Sequence, residues 1–187
     1  KAAVAAIAEG IGKAGLADRL RFGLVGFRDD VEKAPELEYT RRNFTPALVD
    51  GAAFTKLLEQ GAKAAAVSSP GYAEEVFAGI EEGLDSAWRD NSIKVLVLVG
   101  DASGHPPDHP QSTTKKDAKV LRMAAQDLQV QVMAIQLLNP KFPADQALAE
   151  AQFGELSKER ASGEPVLLQI RAAVMRDGEV SEIGAEQ

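Results

Sequence analysis

The sequence contains no cysteine, and only 5% of its residues are aromatic. Without cysteine the chain can form no disulfide, no thiolate zinc site and no iron–sulfur cluster, and it has no cysteine nucleophile. No apolar run approaches the roughly 20 residues that a membrane-spanning helix requires. We therefore expect no direct membrane insertion by these residues, while the absence of cysteine leaves the cellular compartment open.

Positive charge is also scarce. The chain has 21 Lys and Arg against 28 Asp and Glu, which gives a formal net charge of -7. Because neutralising phosphates requires clustered Lys and Arg, this balance argues against nucleic acid as a partner. Neither a dinucleotide-binding glycine fingerprint nor a phosphate-binding loop occurs, so a nucleotide enzyme is also disfavoured.

What remains is the composition of an ordinary globular chain. Of the 187 residues, 45% are hydrophobic and 26% are charged. This length suffices to bury a core without disulfides or metals. We predict a single domain over residues 1–187.

Hydrophobic periodicity predicts an alternation of helices and strands. Helices are predicted over 1–15, 52–66, 73–87, 116–128 and 144–158, and strands over 20–27, 93–99 and 130–137, with an edge strand over 36–40. The run at 166–170 fits either a short strand or the start of a helix. The continuous apolar run at 93–99 is typical of a strand buried on both faces. This order predicts an α/β fold: a doubly wound, mostly parallel sheet with helices on both faces.

Ligands on such sheets bind at the carboxyl ends of the strands. The predicted elements place three segments there: residues 28–30, residues 101–109 and the loop before Ala73. Asp101 is the strongest single candidate, because it follows the apolar strand directly and a partly desolvated carboxylate needs a partner. That partner is either a cation or ligand, or the backbone N–H groups of its own loop.

The loop after this strand offers two further chemistries. Ser103 and His105 resemble part of a hydrolase site, but a nucleophilic serine needs a histidine base with its own orienting acid, and His105 lies too close in sequence for a convincing triad. His105 and His109, with Asp101 and Asp108, would alternatively form a zinc or nickel site. Histidines in a proline-rich loop are more often solvated.

Other polar residues near this edge have structural explanations. Glu74 and Glu75 open a predicted helix, where acids suit the positive end of the helix dipole. Asp29 and Asp30 are interpreted as solvated turn residues, and Trp88 as a residue that covers the core at a helix end.

Three segments in this order and spacing resemble a von Willebrand factor type A domain. They are LVGFRD at 24–29, YAEEVFAGI at 72–80 and VLVGDA at 97–102. The strand end, the helix and the loop are most similar to the bacterial subgroup attached to PpkA-type serine/threonine protein kinases of type VI secretion, and residues 151–153 (AQF) also fit it. The similarity runs from residue 1 to about residue 170.

The resemblance implies a metal-ion-dependent adhesion site in which Asp101 matches the aspartate after the fourth strand of the family. The family's threonine position falls near residues 72–75, where this chain has no threonine. Its D-x-S-x-S motif is absent, because the chain begins within the helix that would follow that motif. Mg²⁺ or another divalent cation is therefore implied only at an incomplete site.

The resemblance also implies that the family's central strand is missing from the N-terminus of this chain. That strand would lie between the strand ending at Phe27 and the one ending at Val99. We expect a preceding segment, or another chain, to fill the gap. Direct pairing of residues 22–27 with 95–99 would contradict this expectation.

The function that the resemblance implies is that of a non-enzymatic protein-interaction or signal-sensing module of a kinase-bearing chain. We expect a protein partner, contacted through Asp101 together with other polar residues of the same edge: Asp29, Glu74, Glu75, Ser103, His105, Asp108 and His109. The alternatives are a small hydrolase using Asp101, Ser103 and His105, and a metal-independent structural scaffold. By resemblance the domain lies on the periplasmic side of the inner membrane, with the cytoplasm as the alternative.

Overall fold

The computed structural model describes residues 13, 15, 19–60, 66, 67, 69 and 71–171. Apart from Lys13 and Gly15, the predicted first helix lies outside the described residues. Gly15 has a φ of +67°, the left-handed conformation of a glycine that ends a helix. The predicted helix at 52–66 is described only up to residue 60.

The described residues alternate between strands and α-helices, and this confirms a mixed α/β fold. The elements in chain order are β1 (Val25–Phe27), β2 (Arg41–Asn43), α1 (Gly51–Gln60), α2 (Val76–Leu84), β3 (Lys94–Gly100), α3 (Ala118–Asp127), β4 (Val130–Leu138), α4 (Pro143–Leu156) and β5 (Leu167–Arg171). The ambiguous run near residue 166 is therefore a strand. Among the described helices, none has the length and apolar character needed to cross a membrane.

The strands of the described residues form two separate sheets. β3, β4 and β5 form a parallel sheet in that order, and β1 pairs antiparallel with β2. Within the described residues, no ladder pairs β1 with β3, although the tip of Phe27 lies 3.7 Å from the position that a Cβ would take on Gly100. Pairing of residues 22–27 with 95–99, which would contradict the expectation of a missing central strand, is thus not observed among the described residues.

One hydrophobic core joins the parallel sheet to three helices. Leu98 of β3 and Val132 and Ala134 of β4 pack in a single cluster with apolar residues of α2, α3 and α4. The side chain of Asp117 caps α3 by accepting a hydrogen bond from the N–H of Val120 at 2.8 Å. The two crossovers, β3–α3–β4 and β4–α4–β5, advance in the same direction across the sheet, so their helices cover the same face.

The opposite face of the parallel sheet differs from the prediction for β3. Val95, Val97 and Val99 alternate with the core residues and are 41–53% exposed. The prediction of a strand buried on both faces is therefore wrong for the described residues. A continuous apolar run shows that both faces can be buried, but it does not identify what covers each one.

The predicted edge strand over 36–40 is also wrong. Pro35–Leu37 forms a 3₁₀ turn, and Glu38 follows it with a φ of +70°. Proline fixes its own φ near the value that such a turn needs and donates no ladder hydrogen bond. The strand begins later, at Arg41, where β2 pairs with β1.

The long helix predicted over 73–87 begins at Val76 and ends at Leu84. It packs closely on β1, because a Cβ added at Gly79 would lie only 2.6 Å from the ring of Phe27. Trp88 packs against the core, and its indole N–H donates to the carbonyl of Leu84 at 3.2 Å. The interpretation of Trp88 as a core-covering residue is confirmed.

Candidate functional site

A cleft opens where β1 and β3 end. It has a volume of about 240 Å³ and is lined by residues from all three predicted segments, including Arg28, Asp29, Tyr72, Glu74 and Asp101. The expectation that these segments meet at one edge of the fold is confirmed. Three of the four charged side chains that line the cleft are carboxylates, so the charged part of its lining is mainly acidic.

Asp101 lies at the exposed mouth of this cleft. Among the described residues, its carboxylate accepts a hydrogen bond from the hydroxyl of Tyr72 at 3.1 Å, not from a backbone N–H of its own loop. Its main-chain carbonyl accepts a hydrogen bond from the side-chain amide of Gln146. Asp101 is thus held in place from behind and presents its carboxylate to the cleft, in disagreement with the loop-cap interpretation.

Glu74 lies on the inner side of the cleft. Burial is the main cause that raises the pKa of its carboxyl to about 7. The negative charges of Asp101, Asp29 and Asp145 raise it further, in that order. Glu74 therefore changes charge near neutral pH.

Glu74 and Glu75 were predicted to lie in the first turn of a helix. They precede it instead, because α2 begins at Val76. The N–H of Glu74 donates to the carbonyl of Ser103 at 2.8 Å, and the N–H of Glu75 donates to the carbonyl of Arg28 at 3.0 Å. These bonds join the segment before α2 to both strand ends. The interpretation of both residues as acids of the first helical turn is thus incorrect.

Tyr72 is a cleft residue to which the sequence analysis gave no role. Its ring stacks on Phe142 with centroids 3.8 Å apart, and its hydroxyl accepts a hydrogen bond from the side chain of Asn139 at 3.0 Å. Burial, followed by the charge of Asp101, raises the pKa of Tyr72 to about 12. Tyr72 therefore remains a neutral hydrogen-bond donor toward Asp101.

Arg28 supplies the positive charge of the cleft wall. Its guanidinium lies 4.1 Å from the ring centroid of Tyr39 and forms an ion pair with Glu38 at 2.9 Å. It also donates to the carbonyl of Leu37. The 3₁₀ turn that replaced the predicted edge strand thus serves as the platform that positions Arg28.

Asp29 and Asp30 are buried, with exposures of 1% and 4%, so their interpretation as solvated turn residues is wrong. Asp29 faces an imidazole: Nε2 of His105 lies 2.8 Å from its Oδ1. Its Oδ2 accepts from the side-chain amide of Gln111 at 3.1 Å, and its Oδ1 accepts from the N–H of Asp30 at 2.8 Å. This buried network fixes the loop after β3 to the end of β1.

Glu75 is equally buried and connects the same loop to α2. Its Oε2 accepts from the N–H of Thr113 at 3.0 Å and from the hydroxyl of the same residue. Its Oε1 and the hydroxyl of Ser112 are buried without a hydrogen-bond partner within the described residues. The loop from Asp101 to Thr113 is therefore anchored by two buried carboxylates on separate elements.

Ser103 pairs with a carboxylate instead of a histidine. Its hydroxyl donates to Oδ1 of Asp145 at 2.5 Å, and its N–H donates to Oδ2 of the same side chain at 3.0 Å. His105 directs its ring to Asp29. Within the described residues, the serine–histidine hydrogen bond that a hydrolase requires does not appear.

Gln152 holds the centre of the loop through a pair of hydrogen bonds to Gly104. Its Oε1 accepts from the N–H at 2.6 Å, and its Nε2 donates to the carbonyl at 2.9 Å. A Cβ on Gly104 would lie 3.0 Å from the ring of Phe77, so the close approach of the backbone to the core favours glycine here.

The remaining predicted residues lie at the outer end of the loop. Asp108 is exposed and His109 is half-buried. The rings of His105 and His109 stack in parallel with centroids 4.3 Å apart. Across the described part of the chain, no group of three or more His, Asp or Glu side chains is arranged to hold a metal ion.

The structure thus separates the eight predicted site residues by their accessibility. Glu74 and Asp101 face the cleft, Asp108 is exposed and His109 half-buried at the loop's outer end, and the other four have internal partners and are nearly inaccessible. These four are Asp29, Glu75, Ser103 and His105. Sequence reasoning gave no role to Asp145, Gln111 and Thr113, because no local pattern marks them. Gln152 did carry a signal, since it lies in the AQF segment of the resemblance.

Comparison of the chain with protein-family models, with curated proteins and with solved structures returned no match.

Proposed function

We propose that the protein is a non-enzymatic interaction module that binds a protein partner through the acidic cleft. The observation that carries this proposal is the exposed carboxylate of Asp101, held by Tyr72 and Gln146 at the mouth of a cleft at the carboxyl ends of β1 and β3. Crevices at that edge are the usual binding places in open α/β sheets.

The small volume of the cleft supports the binding of a single side chain of a partner protein. Its volume of about 240 Å³ is below the roughly 300–1,000 Å³ of pockets that enclose small-molecule ligands. The rigid surroundings also suit recognition, since the loop carrying Asp101 is anchored through buried contacts of Asp29 and Glu75. A preorganised loop loses little conformational entropy when a partner binds.

The charge of the cleft supports a cationic group as the first contact. Asp101 and Glu74 face the opening, and the whole chain carries a formal charge of -7. Acidic surfaces attract cations or basic side chains and accelerate association with partners of opposite charge.

On the finer fold, we propose a von Willebrand factor type A-like, doubly wound sheet in which one further strand lies between β1 and β3. Within the described residues β1 and β3 each pair with a strand on one edge only, and this supports the proposal, because an unpaired strand edge leaves N–H and C=O groups that require partners. The resemblance of residues 24–29, 72–80 and 97–102 supports assignment to the subgroup attached to type VI secretion kinases, and with it the periplasmic side of the inner membrane.

A divalent cation does not fit the described residues as a complete site. Asp101 already bonds to Tyr72, and these residues bring no third metal-binding side chain beside Asp101 and Glu74. A cation-dependent form of binding would need ligands from other residues or from the partner. The proposed binding therefore includes no step that depends on a metal.

Replacing Asp101 with alanine is expected to weaken partner binding by about thirtyfold or more, the cost of removing a central interface residue. The side chain is exposed at the cleft mouth, so the substitution should leave the unfolding midpoint nearly unchanged. Binding is measured by quantitative capture from cell extract with the wild-type and variant chains, followed by titration of the captured partner.

Asp108→Ala is the matched control, because it removes an exposed carboxylate of the same loop outside the cleft lining. It should bind like the wild type. Equal binding by the Asp101 variant would favour the scaffold alternative, and turnover of ester substrates that is lost in Ser103→Ala would favour the hydrolase. Loss of binding with chelator would identify a cation-dependent form.

A further inference from the structure

We propose that the cleft selects an arginine side chain of the partner, and that the ring of Tyr72 determines this selection. The inference rests on the proposed function, since it names the chemical group that the cleft binds. Tyr72, Glu74 and Asp101 together line the cleft. They offer one aromatic ring and two carboxylates to a group that enters it.

Contacts on several sides hold the ring of Tyr72 in place. One face stacks on Phe142, with centroids 3.8 Å apart and planes inclined by 19°. The hydroxyl accepts from the side chain of Asn139 at 3.0 Å and donates to the carboxylate of Asp101 at 3.1 Å. Because Phe142 covers one face of the ring, the lining that Tyr72 contributes consists of its other face and its edge. A ring fixed in this way is a preorganised surface for a flat cation.

The two carboxylates beside this ring favour a cation. Glu74 is half-buried, and its side chain has no hydrogen-bond or ion-pair partner within the described residues. A partly desolvated carboxylate without a partner is costly, and a cation that enters the cleft offsets this cost. Asp101 presents an exposed carboxylate at the mouth. A bound cation can thus contact one carboxylate inside the cleft and one at its entrance.

The properties of arginine fit this arrangement better than those of lysine. A guanidinium is planar, is more weakly hydrated than an ammonium, and carries five N–H donors in a fork that suits carboxylates. It can stack on the ring of Tyr72 and donate from its edge to Glu74 and Asp101 at the same time. A lysine ammonium is compact and strongly hydrated, so it loses more hydration in a half-buried cleft.

Another part of the cleft lining already contains the same combination of groups. The guanidinium of Arg28 lies 4.1 Å from the ring centroid of Tyr39 and pairs with Glu38 at 2.9 Å. Glu38 lies outside the cleft lining, so this pairing leaves the two cleft carboxylates available to an incoming cation. A partner's guanidinium on Tyr72 repeats this local chemistry.

Small model compounds test the selection without requiring the partner. The probes are N-acetyl-arginine amide, N-acetyl-lysine amide and N-acetyl-citrulline amide, each titrated into the ¹⁵N-labelled full chain at pH 8 and low ionic strength. We expect the arginine probe to shift the amide signals of residues 72, 74 and 101 with a dissociation constant about tenfold below that of the lysine probe, as for a cation–π contact in a partly desolvated site. Citrulline has a similar shape but no charge, so its probe should give no saturable shift.

Two substitutions of Tyr72 separate selection by the ring from the positioning of Asp101. In Tyr72→Leu the preference for arginine over lysine should fall from about tenfold to less than about twofold, because the ring is lost. In Tyr72→Phe the ring stays and only the hydroxyl is removed, so the preference should persist. A purely positioning role would weaken both probes alike and leave their ratio unchanged in Tyr72→Leu. Glu150→Gln, at an exposed position on α4, should bind both probes like the wild type.

The proposal is overturned by equal binding of the arginine and lysine probes, by citrulline binding as tightly as arginine, or by arginine shifts that lie outside the cleft or do not saturate. It is also overturned by a preference that survives in Tyr72→Leu, and the wild-type comparison decides by itself if that variant does not fold. Loss of capture in Asp101→Ala without selection of arginine leaves the proposed function intact and contradicts only the choice of arginine. Selection of arginine with unchanged capture by Asp101→Ala contradicts the proposed function instead.

Discussion

Replacing Asp29 with alanine is expected to destabilise the protein by about 2–6 kcal/mol, because each buried polar group that it leaves without a partner costs about 1–3 kcal/mol. Asp29 is 1% exposed, and its carboxylate lies against the ring of His105 and the amide of Gln111. The variant leaves the buried ring of His105 and the buried N–H of Asp30 without their partner, and unsatisfied buried polar groups are costly. Urea unfolding monitored by circular dichroism measures the change.

Two further variants separate hydrogen bonding from other effects. Asp29→Asn keeps the volume of the side chain but loses one acceptor oxygen, so its destabilisation should fall between those of the alanine variant and the wild type. Asp108→Ala removes an exposed carboxylate of the same loop and should change the free energy of unfolding by less than about 0.5 kcal/mol. Equal effects of Asp29→Ala and Asp108→Ala would show that the buried network does not anchor the loop.

The second large effect concerns pH. The pKa of Glu74 is raised from an ordinary value of 4.5 to about 7. Folding therefore favours the protonated carboxyl, and the folded chain binds more protons than the unfolded chain between these two values. The stability that depends on Glu74 should be greatest below pH 4.5, fall as the pH rises to about 7, and stay constant above it.

Glu74→Gln should remove this pH dependence, because glutamine does not ionise. At pH 8 we expect the variant to be more stable than the wild type by about 2 kcal/mol, after allowance for the partial exposure of the group. At pH 5 the two should differ little. Urea unfolding across pH 5–8 tests this, with the exposed Glu150→Gln as the control. Parallel stability profiles for the wild type and Glu74→Gln would show that the cleft does not perturb this carboxyl.

The sequence predicted the elements whose signal is local. β3, β4, α3 and α4 lie within a few residues of their predicted bounds, because hydrophobic period and length are properties of a short window. The prediction of an edge strand over 36–40 was wrong for an equally local reason. Alternation suggested a strand, but Pro35 favours a turn and Glu38 takes a positive φ, so the strand is displaced to Arg41.

The position of the site was predictable from the sequence, but the hydrogen bonds between its residues were not. Asp29 and Asp101 follow predicted strands, and parallel strands bring their carboxyl ends to one edge of a sheet. This rule correctly located the cleft, which both residues line. The burial of Asp29 depends on His105 and Gln111, which are 76 and 82 residues away in sequence. No residue pattern near Asp29 distinguishes a solvated turn from a buried network that closes only after the chain has folded.

The exposed valines of β3 illustrate the same limit. Their β-branched side chains correctly predict a strand, and their continuity correctly predicts that both faces can be buried. Which element covers Val95, Val97 and Val99 is decided by the topology of the whole sheet.

The central claim is that the acidic cleft contacts a protein partner. Site-specific photo-crosslinking tests it most directly, with benzoylphenylalanine at position 69, which lines the cleft, and at position 119, which is exposed on α3. We expect a discrete cross-linked partner from position 69 that is absent from position 119 and disappears in Asp101→Ala. Identical products from both positions, or products unaffected by Asp101→Ala, would contradict the account.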